Sequence, residues 1–403
     1  MGGRIMASTI NADTSNGVII TPDTSGEIEL QANGVTKAKV TANGLQDANG
    51  NSLRGGMYRN LIINGDMRID QRNAGSSVTL PSNTNYYTID RFAFTINQAS
   101  KMSAQQVTDA PTGFVNSLKV TTTSAYTVTA SDYFSVRQDI EGQNISHLDW
   151  GSSNAKTVTL SFYVKSSLTG TFGGSLKNSA GTKAYPYTYT IDSANTWERK
   201  TITIEGETTG TWLTTNGRGI MVYFGLGVGS TFSGTSGSWA SSNYLSATGA
   251  TSVVGTAGAT WQITGVQLEV GEGASDFEFL PYDVQLARCE RYFQIFKGSD
   301  PVSNNYTRMG WAYINTSGSN ALCYIPNKVS MRTPPSITAS GSFTFYNGSF
   351  YSITTGNITL DGATTKDITG LNITGSGFPS ASTFVDFIIN NSSTTTFSIS
   401  AEL

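Results

Sequence analysis

Residues 157–164, Thr-Val-Thr-Leu-Ser-Phe-Tyr-Val, set side chains suited to a core against side chains suited to water at nearly every second position. A period of two belongs to strands, because successive Cβ atoms leave opposite faces of the pleat. Residues 197–204, Trp-Glu-Arg-Lys-Thr-Ile-Thr-Ile, repeat the pattern after a turn. A sheet with one dry face must bury it against another layer, and nothing nearby offers the 3.6-residue period of a covering helix. Further strands are expected at 91–95, 117–121, 133–140, 185–191 and 220–225, punctuated by Gly, Ser, Thr and Asn. The pattern confines the chain to an all-β fold, and its length is enough for more than one core.

Two separated segments bracket this block. The first, NLIINGDMRIDQR at 60–72, opens as an alternating strand through Leu61 and Ile63. It then runs into Asn64-Gly65, a strong turn or bulge signal. The second, WQITGVQLEVG at 261–271, is a strand whose buried positions are expected at Ile263, Val266 and Leu268. A first and last strand that enclose such a block pair within one jelly-roll β-sandwich. Leu61 and Ile63 are then buried opposite residues 261–268.

These segments also carry a resemblance. Residues 60–72, then Tyr87-Thr88-Ile89-Asp90-Arg91-Phe92, then 261–271 with Phe277-Glu278-Phe279-Leu280-Pro281-Tyr282 and Leu286–Tyr292 (LARCERY), are similar to bacteriophage tail-fibre and related virion proteins. The resemblance covers residues 57 to 297. It implies a jelly-roll body like that of carbohydrate-binding modules, with Asn60, Asn64, Gly65, Asp66, Asp90, Arg91, Gln267 and Glu269 as structural motif residues. Such jelly rolls often hold a structural calcium through acids in these two strands. Here Arg68 and Thr264-Gly265 stand where those acids would be, so no metal site is expected.

Charged residues make up only 13% of the chain, with a net charge of −3 and no basic run, which argues against nucleic acid as a partner. No apolar stretch is long enough to cross a bilayer, and MGGRIM is not followed by a signal-peptide core. Met6 is a second possible start. Cys289 and Cys323 are too few for a disulfide framework. Assembly in a host cytoplasm, followed by a place in a virion, is the expectation.

Four regions are expected. Residues 1–56 form a β-ribbon arm, with short strands at 18–21, 27–30 and 38–40 and a hinge at 47–56. Three such ribbons cannot bury a core alone, so identical chains or a virion component must cover them, and a homotrimer is expected. Residues 57–282 form the jelly roll, with Gly/Ser/Thr-rich loops at 230–238 and 246–258 reaching away from it. Residues 283–299 form a linking helix, with Leu286, Cys289, Phe293 and Phe296 inward and Glu290 and Arg291 outward. Residues 300–403 form a smaller β-sandwich, with strands at 321–325, 342–346, 358–360, 383–389 and 397–401.

An enzyme should leave marks, and few are present. The single histidine, His147, leaves little for a triad or a His-rich metal site. Carboxylate pairs such as Asp66 with Asp70, or Asp139 with Glu141, arise readily among 28 acids. Asp66 and Asp90 are explained by turn capping and contacts to Arg68, Arg72 or Arg91. No catalytic residue and no cofactor is assigned. Binding fits better, since sugars offer apolar C–H faces to exposed rings. Trp212, Trp239 and Tyr244 lie in or beside Gly/Ser-rich segments, and Tyr306 and Trp311 open the last domain. Trp150, Trp197 and Trp261 flank strands and are assigned to cores.

The expected function is that of a phage tail fibre or receptor-binding structural protein. It would attach to other virion proteins by its N-terminus and to host surface polysaccharide by its sandwiches. The alternatives are a capsid or tail decoration fibre with no receptor of its own, and a glycan depolymerase.

Overall fold

The structure, a computed structural model, describes residues 27–32, 34–41, 44–47, 58–298, 306–379, 381–390 and 394–403. The expected strand at 18–21 and most of the hinge at 47–56 lie outside them. The chain is all-β, with one α-helix among the described residues.

Strands β1 (Ile28–Ala32), β2 (Val35–Thr41) and β3 (Gly44–Asp47) form an antiparallel meander. The register Ile28↔Val40↔Leu45 and Leu30↔Ala38 gathers apolar side chains on one face. Glu29↔Lys39 lies on the other, with Lys39 Nζ 3.0 Å from Glu27 and 3.1 Å from Glu29. Leu30, Val40 and Leu45 are all exposed, so the apolar face has no cover within the described chain.

The central sandwich follows as β4 (Val78–Thr79), β5 (Asn83–Ile89), β6 (Phe92–Ile96), β7 (Met102–Val107), β8 (Ser117–Thr122), β9 (Tyr133–Glu141), β10 (Val158–Ser166), β11 (Gly170–Asn178), β12 (Ala184–Ile191), β13 (Glu198–Ile204), β14 (Arg218–Val228), the short β15 (Ser233–Gly234) and β16 (Ser246–Ala247), and β17 (Thr260–Val270). Two six-stranded sheets, β13-β10-β17-β8-β7-β4 and β12-β11-β14-β9-β6-β5, face each other as a jelly-roll type sandwich. The alternating residues expected to point inward do so. Val158, Leu160, Phe162 and Val164 meet Trp261, Ile263, Val266 and Leu268 in one sheet, and Phe134, Val136, Val222 and Phe224 face them from the other. Between Ser161 and Tyr163 the register slips past Gly265, a bulge at φ +61° where a Cβ would strike the Phe114 ring.

The opening segment differs from the expected strand. Residues 60–66 do not form a regular ladder but are pinned to β17 by Leu61 N–H to Leu268 O (2.9 Å) and Val266 N–H to Gly65 O (2.9 Å). Asn64 takes φ 60° and starts a turn that closes with Met67 N–H to Asn64 O, so the Asn-Gly signal is realised as a turn. Gly65 is required because a Cβ would collide with the Val266 carbonyl. Leu61 and Ile62 join the main core, whereas Ile63 packs with Ile69, Leu286, Cys289, Tyr292 and Leu403 in a separate cluster.

Two further expectations are corrected. The loop at 246–258 does not reach away, since Val253 and Val254 are fully buried in the sandwich core. The loop at 230–238 is anchored by Phe232 on Met221, Tyr223 and Leu245, leaving residues 235–238 exposed. The helix α1 spans only Tyr282–Glu290. Phe293 and Phe296 lie instead in β18 (Phe293–Lys297), because that segment completes an open edge by pairing with β27 (Thr396–Ser400). Glu290 is buried and paired with Lys328 at 3.0 Å, not turned outward.

The last sandwich adds β19 (Tyr306–Ile314), β20 (Asn320–Pro326), β21 (Ser336–Ser340), β22 (Phe343–Tyr346), β23 (Phe350–Ile353), β24 (Ile358–Leu360), β25 (Ile368–Thr374) and β26 (Phe384–Asn390). Its three-stranded sheet, β18-β27-β21, packs on a seven-stranded one, β23-β22-β26-β19-β20-β25-β24. A seam ties it to the central sandwich. Glu402 reaches both Arg72 and Arg91, while Arg332 donates to the carbonyls of Ala401, Glu402 and Asn216 (each 2.8 Å).

Candidate functional site

The seven-stranded sheet turns one face to its core and the other to solvent, and the solvent face is lined with aromatic rings. A bulge in β19 sets this up. Between Arg308 and Gly310 the register against β26 slips by one residue. The extra residue resets the alternation, so Arg308, Trp311 and Tyr313 all point outward while Met309, Ala312 and Ile314 point inward. Without it Trp311 would fall on the core side.

Adjacent strands carry the face across the sheet. Trp311 lies opposite Asp386, Asp386 opposite Tyr346, and Tyr346 opposite Phe350, a row spanning β19, β26, β22 and β23. At strand spacings of about 4.8 Å this row is roughly 14 Å long. Beside it Tyr313 lies opposite Phe384, ring to ring at 5.2 Å. Tyr306 stacks on Phe350 at 5.0 Å and Phe350 on Tyr346 at 4.8 Å. Tyr324 on β20 is exposed on the same side as Leu322, which pairs with Tyr313. Trp311 is 76% and Phe384 72% exposed, values that rule out a packing role for either ring within this chain. Trp311, Phe384, Tyr346, Asn347, Val385 and Asp386 enclose an open depression of about 570 Å³. Arg308 Nε donates to Asp386 at 2.8 Å, and that bond keeps the guanidinium firmly charged. The pair presents fixed polar groups among the rings.

The rings singled out in the central sandwich sit differently. Trp212 is 7% exposed and packs edge-on against Trp150 at 4.7 Å and Trp239 at 5.6 Å, while Tyr185 lies 5.3 Å from Trp239. Each indole N–H is taken by a backbone carbonyl: Trp150 by Lys156, Trp212 by Thr209, Trp239 by Glu205. This is a knot that closes one end of the sandwich, and Trp212 offers no face to a ligand. Glycine-rich flanks allowed the backbone to fold over the rings, which sequence could not show. Tyr244 is half-buried against Gly234. Tyr306 and Trp311 both lie on the exposed face. Tyr313, Tyr324, Tyr346, Phe350 and Phe384 were missed, although Trp311 and Tyr313 do fall on the parity opposite to core residues Ala312 and Ile314.

The motif residues form a buried polar lattice. Asn60 Oδ1 accepts from Ile62 N–H and Leu268 N–H while its Nδ2 donates to Val266 O, so its amide supplies ladder bonds that the backbone does not make. Asn64 bonds Ile69 at both ends and the Asp90 carbonyl. Gln267 accepts from Glu278 N–H and donates to Glu269, which also holds Ser275. Asp66 pairs with Arg68, and burial pushes its carboxyl upward. Asp90 accepts two bonds from Gln71, yet burial pushes it up to about 6. Arg91 lies over the Tyr292 ring at 3.6 Å.

The remaining acids are also engaged. Asp70 caps Asn73 and Gly75, Asp139 holds Arg137 and Arg218, and Glu141 holds Arg291 and Tyr292. His147 is exposed on a short 3-10 turn. Among the described residues no group of three or more His, Cys, Asp or Glu is placed to hold a metal, and no helix is long and apolar enough to cross a membrane.

No protein-family model matches this chain, and no curated protein matches it. Among solved structures it is similar to the enzymatically active domain of bacteriophage CBA120 tailspike protein 4, at 14% identity and a TM-score of 0.30, over 53% of this chain and 22% of that one. A putative sugar binding protein from Bacteroides thetaiotaomicron is similar at 16% identity and a TM-score of 0.30, over 52% of this chain and 99% of that one. A family 11 carbohydrate-binding module from Clostridium thermocellum is similar at 14% identity and a TM-score of 0.24, over 51% and 99%. At such scores the likeness carries no argument about ligand or activity.

Proposed function

We propose that this protein is a non-enzymatic, glycan-binding fibre of a bacteriophage virion. Its N-terminal arm joins it to other virion proteins and to two further copies of itself, and the aromatic face of its last sandwich meets host surface polysaccharide. The observation that carries the reading is that face. Six exposed aromatic rings, joined by the half-buried Tyr346, turn outward on one sheet of a chain whose other sandwich buries Trp150, Trp212 and Trp261 and half-buries Trp197 and Trp239. Large exposed apolar patches mark interaction surfaces. Flat rings with one fixed ion pair suit the C–H faces and hydroxyls of a linear glycan. Asp386 is held by Arg308 on this face, which favours recognition over hydrolysis.

Covering a ring such as Trp311 contributes on the order of 1.5–3 kcal/mol. Trp311→Ala is therefore expected to weaken glycan binding about ten- to hundredfold, and the double variant with Phe384→Ala to abolish adsorption to host cells, with unchanged melting. Adsorption at the wild-type level by a folded double variant refutes the reading. The runner-up, a decoration fibre with no receptor, is favoured by the same face if a neighbouring subunit covers it. Density for the chain on the capsid lattice in a virion map decides for it.

A further inference from the structure

Where the two sandwiches meet, a cleft of about 770 Å³ opens between β5, the α1–β18 region and the sheet of β27 and β21. Arg72, Arg218 and Arg332 line it together with one side-chain carboxylate, Glu402, and with Leu403, whose main-chain oxygen accepts from Tyr87. Arg72 lies over Phe293 at 3.6 Å and Tyr87 at 4.9 Å, so its charge sits on an aromatic floor. The amides of Asn73 and Asn85 and several Ser and Thr side chains complete the wall.

The charges here do not balance. Arg72 shares Glu402 with the buried Arg91, and Arg218 shares Asp139 with the buried Arg137. Four guanidiniums thus divide two carboxylates. Arg332 has no carboxylate partner among the described residues; its nitrogens donate only to backbone carbonyls. The buried Nε of Arg72 donates to nothing there. Lys177 lies behind this wall, where burial and then repulsion by Arg137 pull its pKa down to about 8. Nearby, Glu141 is hydrogen-bonded by Arg291 and Tyr292 and attracts Arg332 only through space, and Asp90 is held by Gln71. A chain of net charge −3 therefore concentrates cations in a polar cleft with an aromatic floor.

We propose that this cleft is a second saccharide site, taking a sugar unit that bears a carboxylate. Guanidinium groups match carboxylates in geometry as well as charge. The half-buried ring of Tyr86 offers a surface for the sugar ring, Tyr87 and Phe293 lie beneath Arg72, and the amides and hydroxyls suit the sugar's hydroxyl groups. The inference rests on the reading that this is a glycan-binding protein, but on residues separate from the aromatic face.

Titration calorimetry of the full chain with trimers of galacturonate and of mannuronate, and with their neutral methyl esters, tests it. A triuronate is expected to bind at low salt, with its ester at least about tenfold weaker. Arg218→Gln is expected to weaken the triuronate by about tenfold and Arg218→Lys by less, while Trp311→Ala leaves it unchanged. Wild-type protein alone is decisive if the glutamine variant fails to fold. No triuronate binding, or esters binding as tightly, overturns the proposal. So does inorganic phosphate competing at equal concentration, which would mark a site for any anion. Loss of triuronate binding in Trp311→Ala places the acidic sugar on the aromatic face and overturns the seam site. Neutral glycans that fail to bind while triuronates bind would count against the aromatic face alone.

Discussion

At the scale of single residues, polar side chains carry work that the backbone leaves undone. Asp132 is the clearest. Its carboxylate accepts from Thr129 N–H (2.8 Å), Thr129 Oγ1 (2.7 Å), Tyr126 Oη (3.0 Å), Asn97 (3.1 Å) and Gln98 (3.2 Å), a set made of donors. Burial opposes the charge, but these bonds outweigh it and hold the pKa well below the usual carboxylate range. A depressed folded pKa gives stability that is full above the unfolded value of about 3.9 and is lost as pH falls below it. Asp132→Asn, which turns an NH2 toward those donors, is expected to cost about 2–3 kcal/mol at pH 7. The gap in melting temperature from wild type should narrow between pH 5 and pH 2; a gap independent of pH contradicts this. Little of this was legible in the sequence, because an Asp in a Ser/Thr-rich turn looks the same whether it accepts one bond or five. Trp212 teaches the same lesson in reverse. Its glycine-rich surroundings read as exposed, and only the three-tryptophan packing shows otherwise.

At the scale of elements, strand existence was legible and strand partnership was not. β13 and β24 occupy the residues that alternation predicts, 198–204 and 358–360. The helix expected over 283–299 stops at Glu290 because β27, more than a hundred residues away, offers Phe293–Lys297 a ladder that local periodicity cannot reveal. The candidate face was half legible: Tyr306 and Trp311 were in view, but the rings from β22, β23 and β26 join them only through register. The segment after β27 carries its own prediction. Glu402 neutralises Arg91, which is 1% exposed and otherwise donates to the Asp139 carbonyl. Glu402→Ala leaves that charge buried without its acid, at an expected cost of about 3–5 kcal/mol. Hydrogen exchange should show protection lost at residues 86–91, in α1 and in β27, with the β10–β17 pairing intact. Unchanged exchange at all of these contradicts the seam as described.

At the scale of the whole molecule, the proposed trimer answers the one apolar surface that the described chain leaves bare on its N-terminal meander. Leu30, Val40 and Leu45 are exposed together, and a three-stranded sheet of this size is marginal without a packed face. Light scattering on the full chain is expected to give three times the chain mass, and on a chain lacking residues 1–56 the mass of one. A monomer with the arm present defeats the trimer; a trimer without the arm moves the contact to the sandwiches. The architecture also bears on how such a chain is made. β17 is a central strand of its sheet, flanked by β10 and β8, and Asn60 waits for Leu268 across 208 residues. A ribosome adding about 5–20 residues per second needs roughly 10–40 s to cover that interval. Until it has, the β7–β8 hairpin and the β10–β13 strand pair expose unpaired edges, the condition under which nascent chains stick to one another. Chaperone shelter over those tens of seconds is therefore expected to raise the yield of folded protein, and expression strains short of it are expected to give more aggregate although the finished fold is sound.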